Sequence, residues 1–252
     1  MKRFIFLSVL LMIFSEIAWA EPNEVFLLKE KFQKMVCPRV KLTVSQDYQK
    51  MLASEAIQKL KKVNVTEDQY FVFVDRNPQK QLIFVLFLDI QNENIIEIGR
   101  DLVSTGNPKR GKDYFLTPTG IFENSINNFG YRALGTKNKK GWRGLGKKGA
   151  RVWDFGWQKT EKIINGSKKE FLIRLLMHAT DPQFGEPRLG NINSKGCIRI
   201  SGQMNEFLDL FGILDKEYEE NRNKKSIWLL RKDRKTVKYP GKYLIVADSS
   251  SF

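Results

Sequence analysis

Two apolar runs constrain this chain most. Tyr70–Asp75 (YFVFVD) and Leu82–Leu88 (LIFVLFL) flank Arg76-Asn77-Pro78-Gln79-Lys80. Short runs of β-branched and aromatic residues bounded by a turn-rich link read as a β-hairpin. Ile95–Ser104 continues the sheet, and Thr105-Gly106-Asn107-Pro108 and Thr117-Pro118-Thr119-Gly120 are turns. Phe171–Met177 reads as a buried strand ending at His178, and Ile227–Leu230 and Leu244–Ala247 as late strands. Helical spacing occurs twice before the hairpin, over 23–36 (Val25, Leu28, Phe32, Met35, Val36) and 45–63 (Tyr48, Met51, Leu52, Ala56, Leu60, Val63), with Cys37-Pro38 between. Met204, Phe207, Leu208 and Phe211 mark one more helix after residue 201. Many strands, few helices and no βαβ rhythm predict a mainly β mixed domain over 68–249. A small helical layer over 21–67 and a few peripheral helices complete the expected fold.

Composition removes several function classes. The 252 residues are 42% hydrophobic, so the chain can bury a core and is not a disordered basic tail. Two cysteines exclude a disulfide-dense or Cys-rich zinc module, and a single histidine excludes a His-pair metal centre. Residues 1–20 join Lys2-Arg3, an apolar run from Phe4 to Phe14 and Ala18-Trp19-Ala20, the three parts of a cleavable secretory signal. That run is too short to span a bilayer, and no later segment is apolar and long enough. Cleavage would remove Lys2, Arg3 and Glu16 and take the net charge from +15 to +14. An exported basic protein is expected to meet a cell wall or an anionic membrane surface rather than nucleic acid.

The chemistry centres on the only histidine, His178, and on Cys197, nineteen positions later in Ser194-Lys195-Gly196-Cys197-Ile198-Arg199. A thiol is mostly protonated at neutral pH and needs a base or a cation to become a nucleophile. Gly196 leaves room beside the sulfur, and backbone N–H groups of the turn can receive an oxyanion. By spacing alone, a lone Cys is as readily a small buried hydrophobe, and a lone His a structural residue. The His-then-Cys order argues against a papain-like arrangement.

His178, the fifteen residues 179–193 that open with Ala179-Thr180, and Ser194-Lys195-Gly196-Cys197-Ile198-Arg199 together resemble the signature of the L,D-transpeptidase (YkuD-like) catalytic domain. Val103-Ser104-Thr105-Gly106 with Thr117-Pro118-Thr119-Gly120-Ile121-Phe122 is similar to a second stretch of that family, and the opening hairpin is a third match. The chain departs from the pattern at Lys195, where a second histidine is usual, and at Ala179, where Gly or Ser is common.

The resemblance implies a β-rich sandwich-like fold and a periplasmic or wall-associated enzyme acting on peptidoglycan tetrapeptide stems, without metal or cofactor. Cys197 would attack the third residue's carbonyl and expel D-Ala. His178 would serve as general base and acid, and backbone near Gly196 and Cys197 would hold the oxyanion. Arg199 would bind a stem carboxylate or fix the Cys loop by a salt bridge. Lys195 would stabilise the thiolate or oxyanion or point into solvent, and Ser194 is mainly a turn residue at the substrate's edge. An amine acceptor would give 3–3 cross-links; water would give tripeptide, an L,D-carboxypeptidase outcome. A non-catalytic wall-binding scaffold is the remaining alternative. The basic, Gly-rich 137–151 stretch with Trp142 is either a lid or a plain exposed loop, and Cys37 is expected to be structural and unpaired with Cys197.

Overall fold

The computed structural model describes residues 23–36, 43–165, 167–223 and 227–251. The two apolar runs form an antiparallel pair, β1 (Gln69–Asp75) and β2 (Leu82–Asp89), with Phe71 opposite Leu86 and Phe73 opposite Phe84. Every residue of both strands is buried. Strands covered on both faces are apolar at successive positions rather than alternately. β3 (Asn94–Leu102) joins β2. β9 (Tyr243–Ala247) runs parallel to β1, and β4 (Gly120–Glu123) closes the sheet in the order β3-β2-β1-β9-β4. The second sheet has the order β5-β6-β7-β8, from β5 (Tyr131–Arg132), β6 (Arg151–Ile164), β7 (Ser167–Ala179) and β8 (Ile198–Ile200). Within it only β7 and β8 are parallel. The protein is thus mainly β, with two mixed sheets and few helices.

The faces of β1 and β2 divide the core. Tyr70, Val72, Val74, Ile83, Val85 and Phe87 meet Trp153, Phe155, Leu175, Met177, Ile198 and Ile200 of the second sheet. Phe71, Phe73, Phe84, Leu86 and Leu88 point the other way, onto Tyr48, Leu52, Ala56 and Leu60 of α2 (Gln46–Lys62). Ser45 caps α2 by accepting from the Tyr48 N–H at 3.2 Å. α1 (Asn23–Met35) inserts Val25, Leu28 and Phe32 into the inter-sheet core, where the Phe32 ring meets Phe207 edge-on at 4.9 Å. Phe207 belongs to α3 (Gly202–Leu210), which is followed by α4 (Lys216–Asn221). Burying each such large side chain contributes about 1.5–3 kcal/mol.

Several sequence expectations change here. α1 and α2 do not form a layer of their own, because their apolar faces enter different cores. Ile227–Leu230 is a turn rather than a strand; Leu229 is buried there, and its carbonyl receives the Arg132 guanidinium. β7 is longer than Phe171–Met177 and largely alternating, with Leu172 63% exposed while Leu175 and Met177 are buried. Its partner β6 is a strand that the sequence expectations do not include. No helix among the described residues is long and apolar enough to cross a membrane. The signal segment 1–20 and Cys37 lie outside the described residues.

Candidate active site

β7 ends with His178 and Ala179, and β8 begins one residue after Cys197. The parallel register sets Met177 opposite Ile198 and His178 opposite Arg199. Side chains alternate along a strand, so Met177 and Ile198 enter the core while His178 and Arg199 share the outer face. The same alternation puts Leu176 and Cys197 on that outer face, one diagonal step from His178. The nineteen-residue gap in sequence thus closes across two neighbouring strands.

His178 is 3% exposed, and its Nδ1 lies 2.6 Å from the Ala179 carbonyl oxygen. A carbonyl only accepts, so Nδ1 carries the proton and the neutral ring offers Nε2 as a base. Burial pulls the imidazole pKa down to about 4, against a partial upward pull from the Ala179 carbonyl. The Cys197 thiol is half-buried, and burial pushes its pKa up. Arg199 and the backbone N–H groups of Leu176 and Cys197 oppose that rise, while the Asp154 carboxylate adds to it. The pair is therefore a neutral thiol and a neutral imidazole at neutral pH, with no hydrogen bond joining them. Catalytic hydrogen bonds are often long before substrate arrives.

The loop carrying the sulfur is clamped by the two stretches that resemble the family motif. Ser104 and Arg199 exchange backbone hydrogen bonds at 2.9 Å in each direction. The Asn107 N–H donates to the Ser194 carbonyl, and the Phe115 N–H to the Lys195 carbonyl. The Thr117 hydroxyl accepts from the Gly106 N–H at 2.9 Å and donates to the Gly196 carbonyl at 2.8 Å. A side chain at Gly106 would stand 2.0 Å from the Phe115 carbonyl oxygen, so only glycine lets the strands approach this closely. Gly196 has φ +131°, and a Cβ there would meet the Ile173 side chain at 2.7 Å.

The other expected site residues take distinct places. Ser194 is a turn residue: its hydroxyl donates to the Cys197 carbonyl and accepts from the Gly196 N–H at 3.0 Å. That bond occupies the Gly196 N–H, so the backbone donors at the sulfur are Cys197 and Leu176 rather than Gly196. The Lys195 ammonium lies over the Tyr114 ring at 5.5 Å, not on the thiol. Arg199 donates from Nη1 to the Asn193 carbonyl at 3.2 Å, its Nε–H is buried without a partner, and no carboxylate among the described residues pairs with it. The salt bridge that would fix the Cys loop is therefore not formed among those residues.

Sequence reasoning missed Tyr131 and Asp154. One cross-strand row runs Tyr131–Val152–His178–Arg199, and Asp154 stands opposite Leu176 in the next. Asp154 is buried and accepts from Arg174 Nε at 2.7 Å. The Tyr131 phenol is pushed up first by burial, then by Asp154 and Cys197, which puts its ring within electrostatic reach of the sulfur. Only the β5–β6–β7 register brings these groups together. The 137–151 stretch is fastened along its length: Trp142 stacks on Phe184 (5.7 Å, 10°), the Arg143 N–H donates to Asp181, and Gly146 abuts Ala179. A cavity of about 530 Å³ opens between Tyr131 and Trp142, lined also by Leu134 and Leu145.

In sequence comparison the chain matches no protein-family model and no curated protein.

Proposed function

We propose that the protein is a cysteine acyltransferase of the L,D-transpeptidase (YkuD-like) type, exported to act on peptidoglycan tetrapeptide stems. One observation carries this reading. The loop bearing Cys197 is held by Ser104–Gly106 and Thr117, the same stretches whose sequence resembles the family motif, while His178 faces the same side with Nε2 as its free base position. Motif residues that are distant in sequence are thus physically one device. The β-rich two-sheet architecture suits the sandwich-like domain of that family.

In this mechanism Nε2 of His178 takes the thiol proton as Sγ of Cys197 forms a bond to the third residue's carbonyl carbon. Neither group is ionised beforehand, so proton transfer accompanies attack. The oxyanion gathers at the Cys197 N–H, with Tyr131 as a second donor within the site. Collapse breaks the C–N bond, and His178 returns the proton to the departing D-Ala amine. An amine of a neighbouring stem, entering beside Tyr131, then yields a 3–3 cross-link; water yields tripeptide.

Incubation of the protein with disaccharide-tetrapeptide, followed by mass spectrometry, tests this. Cross-linked dimer with free D-Ala is the expected product. Tripeptide alone makes the enzyme a carboxypeptidase, and wall binding without turnover makes it a scaffold. Cys197→Ala should abolish turnover; retained activity in that variant would end the nucleophile assignment.

A further inference from the structure

Among the described residues, eight of twelve arginines lie against a carboxylate. Arg110, Arg188 and Arg199 are among the other four, and Arg110 and Arg188 both lie within electrostatic reach of Arg199. Arg199 follows Cys197 by two residues on the same face of the sheet. Arg110 and Arg199 both donate to one neutral oxygen, the Asn193 carbonyl, at 3.4 Å and 3.2 Å. Aromatic rings hold the other heads in place: Arg188 lies 4.5 Å over Trp142, and Arg110 shares the Tyr114 ring with Lys195 at 5.4 Å and 5.5 Å. Arg110 and Arg188 each disfavour the charged form of Arg199, so the three positive charges are felt together. Like charges held this close are unfavourable until an anion arrives. The buried Arg199 Nε–H adds a donor that nothing in the described residues satisfies.

We propose that Arg110, Arg188 and Arg199 form a carboxylate subsite that holds the C-terminal carboxylate of the acyl donor, one residue beyond the carbonyl attacked by Cys197. The assignment of this carboxylate to an acyl donor rests on the function proposed above. A guanidinium fork matches a carboxylate with two parallel hydrogen bonds, and two forks already meet at Asn193. Arg199 stands two residues from Cys197, so the anion it holds belongs close in the substrate chain to the acyl carbon the thiol attacks. A free terminal residue supplies that spacing, and an amidated or extended chain does not. The cluster therefore makes the enzyme select the end of a stem rather than its interior. Trp142, which belongs to the 137–151 stretch, acts as a positioning residue through Arg188.

Alkylation of Cys197 tests the subsite without any wall substrate. Iodoacetate and iodoacetamide form the same S–C bond and expel iodide, but only iodoacetate carries a carboxylate. Both reagents sense the same thiolate fraction, so their rate ratio isolates anion recognition. At pH 9, with peptide mapping to separate Cys197 from Cys37, the iodoacetate-to-iodoacetamide ratio should exceed that of free cysteine at least tenfold. Arg110→Gln and Arg188→Gln, both at exposed positions, should each lower the ratio several-fold and leave the iodoacetamide rate within twofold. A ratio equal to that of free cysteine overturns the subsite. Protection of Cys197 by phosphate but not by malonate overturns its assignment to a carboxylate. In a second arm, tetrapeptide donors ending in a free acid or an amide are compared. Equal kcat/KM for the two overturns the proposal. Turnover of neither, with the iodoacetate preference intact, leaves the carboxylate subsite standing and removes the peptidoglycan reading.

Discussion

His178 donates a hydrogen bond from its Nδ1–H to the carbonyl of the next residue, which leaves Nε2 as its free basic position. Its burial has two consequences with definite signs. An unfolded histidine gains its proton near pH ~6.5, whereas the folded one resists until about 4. Stability from this group is fully present above ~6.5 and is lost as pH falls from there to about 4, by roughly 3 kcal/mol in all. The second consequence concerns reactivity. Because the Cys197 pKa is pushed up, iodoacetamide should label it slowly through neutrality and faster only above the ordinary thiol range. A flat, rapid rate between pH 5 and 8 would instead show a preformed thiolate–imidazolium pair and overturn this account. Both residues are legible in the sequence as the candidate nucleophile and the candidate base. Their ionisation is not, because burial and the Asp154 carboxylate come from strands far away in the chain.

At the scale of elements, the Cys loop owes its shape to neighbours rather than to its own residues. Thr117 is the hinge of that arrangement, since its single hydroxyl serves both Gly106 and Gly196. Thr117→Val keeps the shape of the side chain and leaves two buried backbone groups without their partner. The expected cost is about 1–3 kcal/mol in urea unfolding, together with a larger fractional loss of activity than of stability. An unchanged unfolding midpoint would show that the hydroxyl is not holding the loop. The motif stretches around Ser104–Gly106 and Thr117–Gly120 could be recognised from sequence, but their work could not. Spacing does not reveal that one stretch donates to the other's loop. Ile227–Leu230 shows the reverse case, an apolar run in which the Leu229 carbonyl goes to Arg132 and Arg151 instead of a strand partner. β6 is not legible in the sequence because its outer positions are polar or exposed, Trp157 at 65% among them, and the run lacks the continuous apolar character of β1 and β2.

Over the whole molecule, the hairpin at Tyr70–Leu88 was the most legible feature, and its burial on two faces organises both cores. Which face meets the second sheet and which meets α2 follows from alternation once the partners are known. The order of strands did not follow from the sequence, since β9 returns from the far end of the chain to lie beside β1. The bridges Ser104–Arg199 and Gly106–Ser194 tie the chain leaving β3 to the Cys loop, and the Thr117–Gly196 bond spans 79 positions. Contacts of that separation close late, because the entropy of a long loop must be overcome before any of them forms. During refolding from urea, the selectivity of Cys197 for iodoacetate should therefore return no earlier than amide protection in β1 and β2. Selectivity that precedes that protection would contradict the assembly order. Until the two sheets meet, the loop bearing Cys197 thus lacks its clamp, so the surroundings of the thiol are completed by long-range assembly rather than by its own segment.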